Sequence, residues 1–443
     1  MLTFLYRTAW TAARLAARLA RGDGKLARGM RGRLASVATL RGWASTHRDT
    51  SRPLIWFHAA SVGEGRQAEV VLRRLRTAHP DWQIAWTHSS ASAERLAASL
   101  PADIACYVPP DTPGEAGAAL DALRPSALVF SATDLWPELA RQAASRRVRL
   151  GLISATLAPT SSRRRPLARA LLRDAYAALD AVGAIDEADA RGLAALGVRA
   201  DRIAVTGDTR HDAAVARVRA IDRAAPALRA LHSAAARAPL LVAGSTWPAD
   251  EQVLLPAIAR VRERRPVGVV IAPHEPTEAA LEALERRLPG VRGQGSGVRV
   301  VRLSTLEADE SGRSDSRLPA PDWDFCLVDR TGILADLYAE ARIAFVGGGF
   351  HGAGLHSVIE PAALALPALF GPRWHSSRDA RLLLDQGGGV SVADSAALAA
   401  ALDRWLGDES ARAAAGAAAR AVVELGAAER SVSLVEKLLK AEG

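Results

Sequence analysis

The 443-residue chain predicts an α/β protein built from two consecutive halves, and three observations carry that reading. Short apolar runs ending in glycine or polar residues alternate with longer stretches of helical spacing. The alternation pauses in an Ala/Arg-rich stretch at about 213–236 and restarts at Leu240, leaving two halves of roughly 200 residues, each large enough for its own core. No short internal repeat appears, and alternation of this kind builds parallel sheets covered by helices.

A hydrophobic content of 49% with 24% charged residues is that of a globular protein, not a disordered chain. Cys106 and Cys326, the two cysteines, each lie in an apolar segment; they read as small buried hydrophobes in a reducing compartment. The net charge is +9, but residues 1–50 hold ten Lys/Arg against Asp23 and Asp49, leaving only +1 for the rest. A nucleic-acid binder would spread its basic residues along a groove or interleave them with aromatics. The charge here is an end effect, and nucleic acid is not an expected partner.

Taken in order, residues 1–22 predict an amphipathic helix. Arg7, Arg14, Arg18 and Arg21 fall on one face at about 100° per residue, with Leu2, Leu5, Ala9, Ala12, Ala16 and Leu19 opposite and Phe4 and Trp10 at the flanks. Four arginines argue against a spanning helix, and the interrupted apolar core argues against a signal peptide. An interfacial helix on an anionic membrane surface fits; a surface helix packed on its own domain is the alternative. Residues 22–53 form a basic connection.

Leu54–His58 is the first strand, and it runs into Ser61-Val62-Gly63-Glu64 at a loop-to-helix start. Further strands are expected at Ile84–Trp86, Leu128–Phe130, Leu150–Ile153 and Ala181–Ile185, and the segment Val205–Asp212 closes the first half. In the second half, Leu240–Ala243 precedes Ser245-Thr246-Trp247, and Gly268–Ala272 precedes Pro273-His274-Glu275. Gly293–Pro321 has no periodicity and reads as a loop excursion. Strands Ile343–Val346 and Ala368–Phe370 follow, and then Ala-rich helices from about Ser395.

Between those last two strands stand Gly347, Gly348, Gly349, Gly352 and Gly354, then His356, Ser357 and Glu360. Glycines allow positive φ and close approach of backbone to a ligand, and a helix start offers N–H groups to an anion. Ligands of open α/β sheets sit at the carboxyl ends of strands, so the segment reads as the wall of a nucleotide-sugar site. A tight strand-to-helix turn would look the same. Glu64 is a candidate general base, within reach of a hydroxyl proton. Equally, it could complement the positive end of a helix dipole, worth about 0.3–1 kcal/mol. His351, His356 and His375 match no zinc spacing, and no metal is expected.

The string from Val328 to Gly389 resembles the donor-binding region of the 3-deoxy-D-manno-octulosonic acid (Kdo) transferases of lipopolysaccharide synthesis, and FHAASVGEG resembles that family's Ser-Gly-Glu motif after the first strand. The likeness covers roughly residues 54–390 in ordered segments. It implies a GT-B fold, two Rossmann-like domains facing each other across a cleft, behind an N-terminal amphipathic helix. The expected boundaries are 1–22 for a membrane-associating helix, 23–215 for an acceptor domain, 237–425 for a CMP-sugar domain and 426–443 for a C-terminal helix.

The implied reaction is inverting transfer of Kdo from CMP-Kdo to a lipid A precursor, lipid IV(A), on the cytoplasmic face of a Gram-negative-type inner membrane, without a cofactor. By resemblance Glu64, Asp134 and Arg210 would be catalytic. Ser61, Gly63, Ser245, Thr246, Pro273, His274, Glu275, Thr331, Gly332, Ile333, Gly348, Gly349, His356, Ser357, Val358, Ile359 and Glu360 would bind substrate. The chain departs from the family pattern at Ala132, where a glutamate is usual, and at His274-Glu275, where Arg-His is usual. A related nucleotide-sugar enzyme (an epimerase or a lipid-A-disaccharide synthase) and an inactive GT-B scaffold are the alternatives.

Overall fold

The structure is a computed structural model that describes residues 2–19, 24–288, 298–312 and 323–440; the side chains of 13–19, 25, 311 and 312 lie outside that description. The chain forms two compact units, residues 1–213 with 424–443, and residues 214–423.

The first unit contains seven strands: β1 (Leu54–His58), β2 (Gln83–His88), β3 (Ile104–Tyr107), β4 (Ala127–Ser131), β5 (Arg149–Ala155), β6 (Ala181–Ala184) and β7 (Ile203–Val205). They pair in parallel in the order β3-β2-β1-β4-β5-β6-β7. Every residue of β1, β2 and β4 is buried, because helices cover both faces of a parallel sheet. Trp56, Leu128, Phe130 and Leu150 fill one core. Ile55, Phe57 and Val129 face the other, where the helix Ala427–Lys440 inserts Val435 and Leu438. The Asp212 carboxylate accepts the Gly426 and Ala428 N–H groups at 3.1 and 3.0 Å at the start of that helix.

In the second unit, β8 (Leu240–Thr246), β9 (Gly268–Pro273), β10 (Val300–Arg302), β11 (Phe325–Leu327), β12 (Ile343–Val346), β13 (Ala368–Phe370) and β14 (Gly389–Ser391) are ordered β10-β11-β9-β8-β12-β13-β14, all parallel. Of the strands missing from the sequence reading (β3, β7, β10, β11 and β14), four are the edge strands of the two sheets, only partly buried and so without the uninterrupted apolar run of a central parallel strand. Part of the expected loop excursion at Gly293–Pro321 is β10 and the helix Leu303–Gly312, whose Leu303 and Leu306 are buried; residues 289–297 and 313–322 lie outside the described residues. The Ala/Arg-rich stretch near 213–236, where the alternation pauses, is largely helical and packs into the second unit. Its helix Pro226–Ala235 buries Ala227, Leu228 and Leu231 in the second unit's core, an apolar stripe made inconspicuous by its alanines.

The helix Leu2–Leu19 docks on its own unit. Tyr6 donates its hydroxyl to Asp111 at 2.7 Å, and Arg7 donates to both carboxylate oxygens of Glu138 at 2.9 and 3.0 Å. The Trp10 ring lies 5.5 Å from Trp136, with the Arg33 guanidinium 4.5 and 4.3 Å from the two ring centroids. Arg7 and Trp10 therefore face protein, since fully buried Glu138 needs a cation beside it. Phe4 and Leu5 remain 71% and 55% exposed. The side chains of Arg14, Arg18 and Arg21 lie outside the described residues. No helix among the described residues is long and apolar enough to cross a membrane.

Candidate functional site

In each sheet the strand order reverses beside the first strand of the unit, and ligands of open α/β sheets gather beyond the strand ends at such a point. In the first unit that place lies past β1 and β4. Ser61, Gly63 and Glu64 follow β1, and Asp134 follows β4. Ser61 is the N-cap of the helix Val62–Ala78. Its hydroxyl accepts the Glu64 N–H at 3.4 Å, and Glu64 Oε2 accepts the Ser61 N–H at 3.0 Å. Glu64 thus completes a capping box, the structural role that the sequence left open beside the catalytic one. The two are compatible: burial, together with the charge of Asp134, raises the proton affinity of Glu64 against the pull of Ser61. A half-buried carboxylate with raised proton affinity is a stronger base.

Asp134 is held from three directions. Oδ2 accepts from Trp136 Nε1 at 2.8 Å and lies 3.2 Å from His58 Nε2, and Arg163 is 3.9 Å from Oδ1. Burial works against its ionised form, but His58, Trp136 and Arg163 outweigh it and hold its proton affinity below the ordinary aspartate range. Ala132, where the family glutamate is absent, takes a left-handed φ of 59°. Arg210 pairs within its own segment. Nε and Nη2 reach Asp208 Oδ2 at 2.8 and 2.5 Å, and the Arg210 N–H donates to Oδ1 at 2.9 Å.

In the second unit, β8 and β12 flank the reversal. The three glycines after β12 answer first to the protein's own backbone. A Cβ on Gly347 would stand 2.3 Å from the Ser245 carbonyl oxygen, and one on Gly349 would stand 2.4 Å from the Gly371 nitrogen. Gly348 has φ of 88°, a conformation that favours glycine. The loop's N–H groups are also engaged. Asp250, fully buried, accepts from Gly348 at 2.7 Å, Phe350 at 3.0 Å and Trp247 at 2.9 Å. Asp250 was missed by the sequence reading, although its place three residues after Trp247 at a helix start is a capping signal. Glu251, the next residue, is buried. It accepts from Thr246 at 3.1 Å and Arg287 at 2.9 Å.

Three imidazoles gather on Trp247. His351 and His274 stack on its two-ring system at centroid distances of 4.0 and 4.5 Å, and His274 lies 4.6 Å from His356. Trp247 Nε1 donates to His356 Nε2 at 3.2 Å. Burial and the neighbouring His274 lower the proton affinity of His356. Glu275 and Ser357 are exposed, while Pro273 and Glu360 are half-buried. Val358 and Ile359 send their side chains into the core, leaving only backbone for a ligand. Arg217 braces the Thr331-Gly332-Ile333 turn, donating to the Gly332 carbonyl at 3.0 Å and to Asp336 at 2.9 Å; Gly332 has φ of 89°. The two thiols are free, and burial pushes that of Cys106 up to about 12.

Residues 28–213 match the family described as 3-deoxy-D-manno-octulosonic-acid transferase (kdotransferase). The 3-deoxy-D-manno-octulosonic acid transferase of Chlamydia muridarum is 29% identical over 373 residues, 81% of this chain and 80% of that protein. The Haemophilus influenzae transferase of the same description is 25% identical over 398 residues, 87% of each. Among solved structures, UDP-GlcNAc 2-epimerase from Neisseria meningitidis has a TM-score of 0.57 at 14% identity, covering 87% of this chain and all of that one. MurG from Acinetobacter baumannii has a TM-score of 0.53 at 14% identity, covering 87% and 99%. These two structures share the fold. The chain has the GT-B fold class. Over most of its length the sequence is similar to the 3-deoxy-D-manno-octulosonic acid transferases, and residues 28–213 match that family's model.

Proposed function

We propose that the protein transfers Kdo from CMP-Kdo to a hydroxyl of a lipid A precursor of the lipid IV(A) type, inverting the anomeric centre, at the cytoplasmic surface of an inner membrane. The observation that carries the reading is Glu64: half-buried, fixed by Ser61 at a strand end, and raised in proton affinity by burial and by Asp134. In the proposed step the acceptor oxygen bonds to the anomeric carbon, its proton passes to Glu64, and the bond to the CMP phosphate breaks with its electron pair leaving on CMP. No covalent enzyme intermediate is needed.

We assign the donor to the second unit. The braced Thr331–Ile333 turn, the loop at Gly348 and Gly349, Ser245, Thr246, His274, His356 and Glu360 are its candidate contacts, with His274 standing where the family carries arginine. A monophosphate donor presents less charge than a sugar diphosphate, so an all-protein site suffices. The acceptor is lipidic, and exposed Phe4 and Leu5 on the docked N-terminal helix support peripheral contact with an anionic bilayer. The test is incubation of the purified full-length chain with CMP-Kdo and tetra-acylated lipid A precursor. Product formation that Glu64→Ala abolishes supports the proposal; CMP binding without turnover in the unaltered protein rejects it in favour of a scaffold.

A further inference from the structure

His58 has no part in the transfer as written above, yet it is a fully buried titratable side chain at the end of β1. Its Nε2 stands 3.2 Å from Asp134 Oδ2, and its Nδ1 stands 3.0 Å from Thr87 Oγ1. Phe130 and Trp136 close the pocket with their edges, at centroid distances of 6.1 and 5.9 Å. The charged or titratable groups around it are Asp134 after β4, Glu64 on the helix after β1, His88 at the end of β2, and Arg163 behind Asp134.

Proton inventory limits what this ring can be. Trp56 Nε1 can only donate, and it donates to Thr87 Oγ1 at 2.9 Å. The single Thr87 hydroxyl proton then has two acceptors within reach, His58 Nδ1 and the Phe57 carbonyl at 3.4 Å. When it turns to His58, Nδ1 is an acceptor, Nε2 carries the hydrogen, and a neutral imidazole donates to ionised Asp134. When it turns to Phe57, Nδ1 must carry a hydrogen to keep its contact, and beside an ionised Asp134 the ring is then an imidazolium with both nitrogens donating. In both states Asp134 receives a proton donor, and no heavy atom moves.

We propose that His58, seated on Thr87, is a positioning residue that keeps Asp134 ionised and fixed beside Glu64, with the Thr87 hydroxyl as a rotor that accommodates either charge state of the ring. The catalytic consequence rests on the transfer reading above, because it acts through Glu64 as base. A charged Asp134 makes Glu64 hold a proton more tightly, so it accepts the acceptor's proton more readily. Without His58, burial is opposed by Trp136 and Arg163 with less help, Asp134 binds its proton more tightly, and that influence weakens.

Two measurements on the full-length chain test this separately. In the unaltered protein, long-range nitrogen–proton NMR of labelled histidine should show His58 with hydrogen on Nε2 in its neutral form, and Asp134→Asn should shift the Nε2 resonance. A neutral ring with hydrogen on Nδ1, or an Nε2 resonance indifferent to Asp134→Asn, overturns the proposal whether or not the protein transfers Kdo. In the transfer assay, His58→Leu should lower kcat about tenfold with KM within twofold, and should move the acid limb of the pH profile down by about one unit. His58→Gln, which keeps a donor towards Asp134, should restore the limb, and adding Asp134→Asn to His58→Leu should cost little more. Equal limbs in the Leu and Gln variants, with only thermal stability lost, would leave His58 a packing residue and sink the idea. If His58→Leu does not fold, the spectroscopic arm and the Gln variant still decide.

Discussion

Glu64→Gln separates the two roles that coincide in one side chain. The amide oxygen of glutamine can accept the Ser61 N–H as Glu64 Oε2 does at 3.0 Å, so the helix keeps most of its cap. What disappears is a charge at the helix start, worth about 0.3–1 kcal/mol, and burial and Asp134 already oppose that charge. The expected change in unfolding midpoint is therefore no more than a few degrees. An amide cannot take a proton, so the rate should fall by about 10²–10⁴, equivalent to roughly 2.7–5.5 kcal/mol of barrier.

The assay is initial rate of Kdo transfer across pH 5–9, with thermal unfolding of the same samples. In the unaltered protein the rate should rise with pH as Glu64 ionises, at a midpoint above the ordinary glutamate value of about 4.3. Stability has the opposite sign. The folded carboxyl binds its proton more tightly than the unfolded one, so its contribution is complete below the unfolded pKa and is lost as pH rises through the folded value. Glu64→Gln has no such loss and should gain on the unaltered protein over that window. A variant that transfers within tenfold of normal while unfolding many degrees lower would show that Glu64 is a cap and nothing more.

Three further outcomes follow from buried polar groups and close backbone contacts. Asp250→Ala orphans three N–H donors at about 1–3 kcal/mol each if none is rehydrated; CMP affinity measured by calorimetry should collapse, and denaturant titration should show a loss of at least 3 kcal/mol, roughly. Gly349→Ala puts a methyl group 2.4 Å from the Gly371 nitrogen, so chemical denaturation should show about 1–3 kcal/mol of destabilisation; Gly352→Ala, with open space around it, should not. Arg7→Ala leaves fully buried Glu138 with Arg141 and Gln142 as its remaining side-chain donors. Because Arg7 is itself 40% exposed, the cost should be about 1–3 kcal/mol rather than the larger penalty of a wholly buried pair. It should be accompanied by faster proteolysis within the N-terminal helix.

The residues themselves made β1, β12 and β13 legible to the residue, because a buried parallel strand is an uninterrupted apolar run with a glycine or polar stop. They also placed Glu64 and the glycine loop at strand ends, since strand–loop–helix order is a local property of the chain. What sequence periodicity could not weigh was identity of partner. Arg7 looks like any arginine of a basic face until Glu138, 131 positions away, is found buried beneath it. Arg210 looks like a substrate cation until Asp208 closes on it. The glycine triplet suggests an anion cradle until Asp250, from a different element, takes two of the loop's N–H groups. Hydrogen bonds and ion pairs are satisfied by whichever group the fold brings within about 3 Å, and that assignment is made across the sheet, where spacing along the chain carries no information.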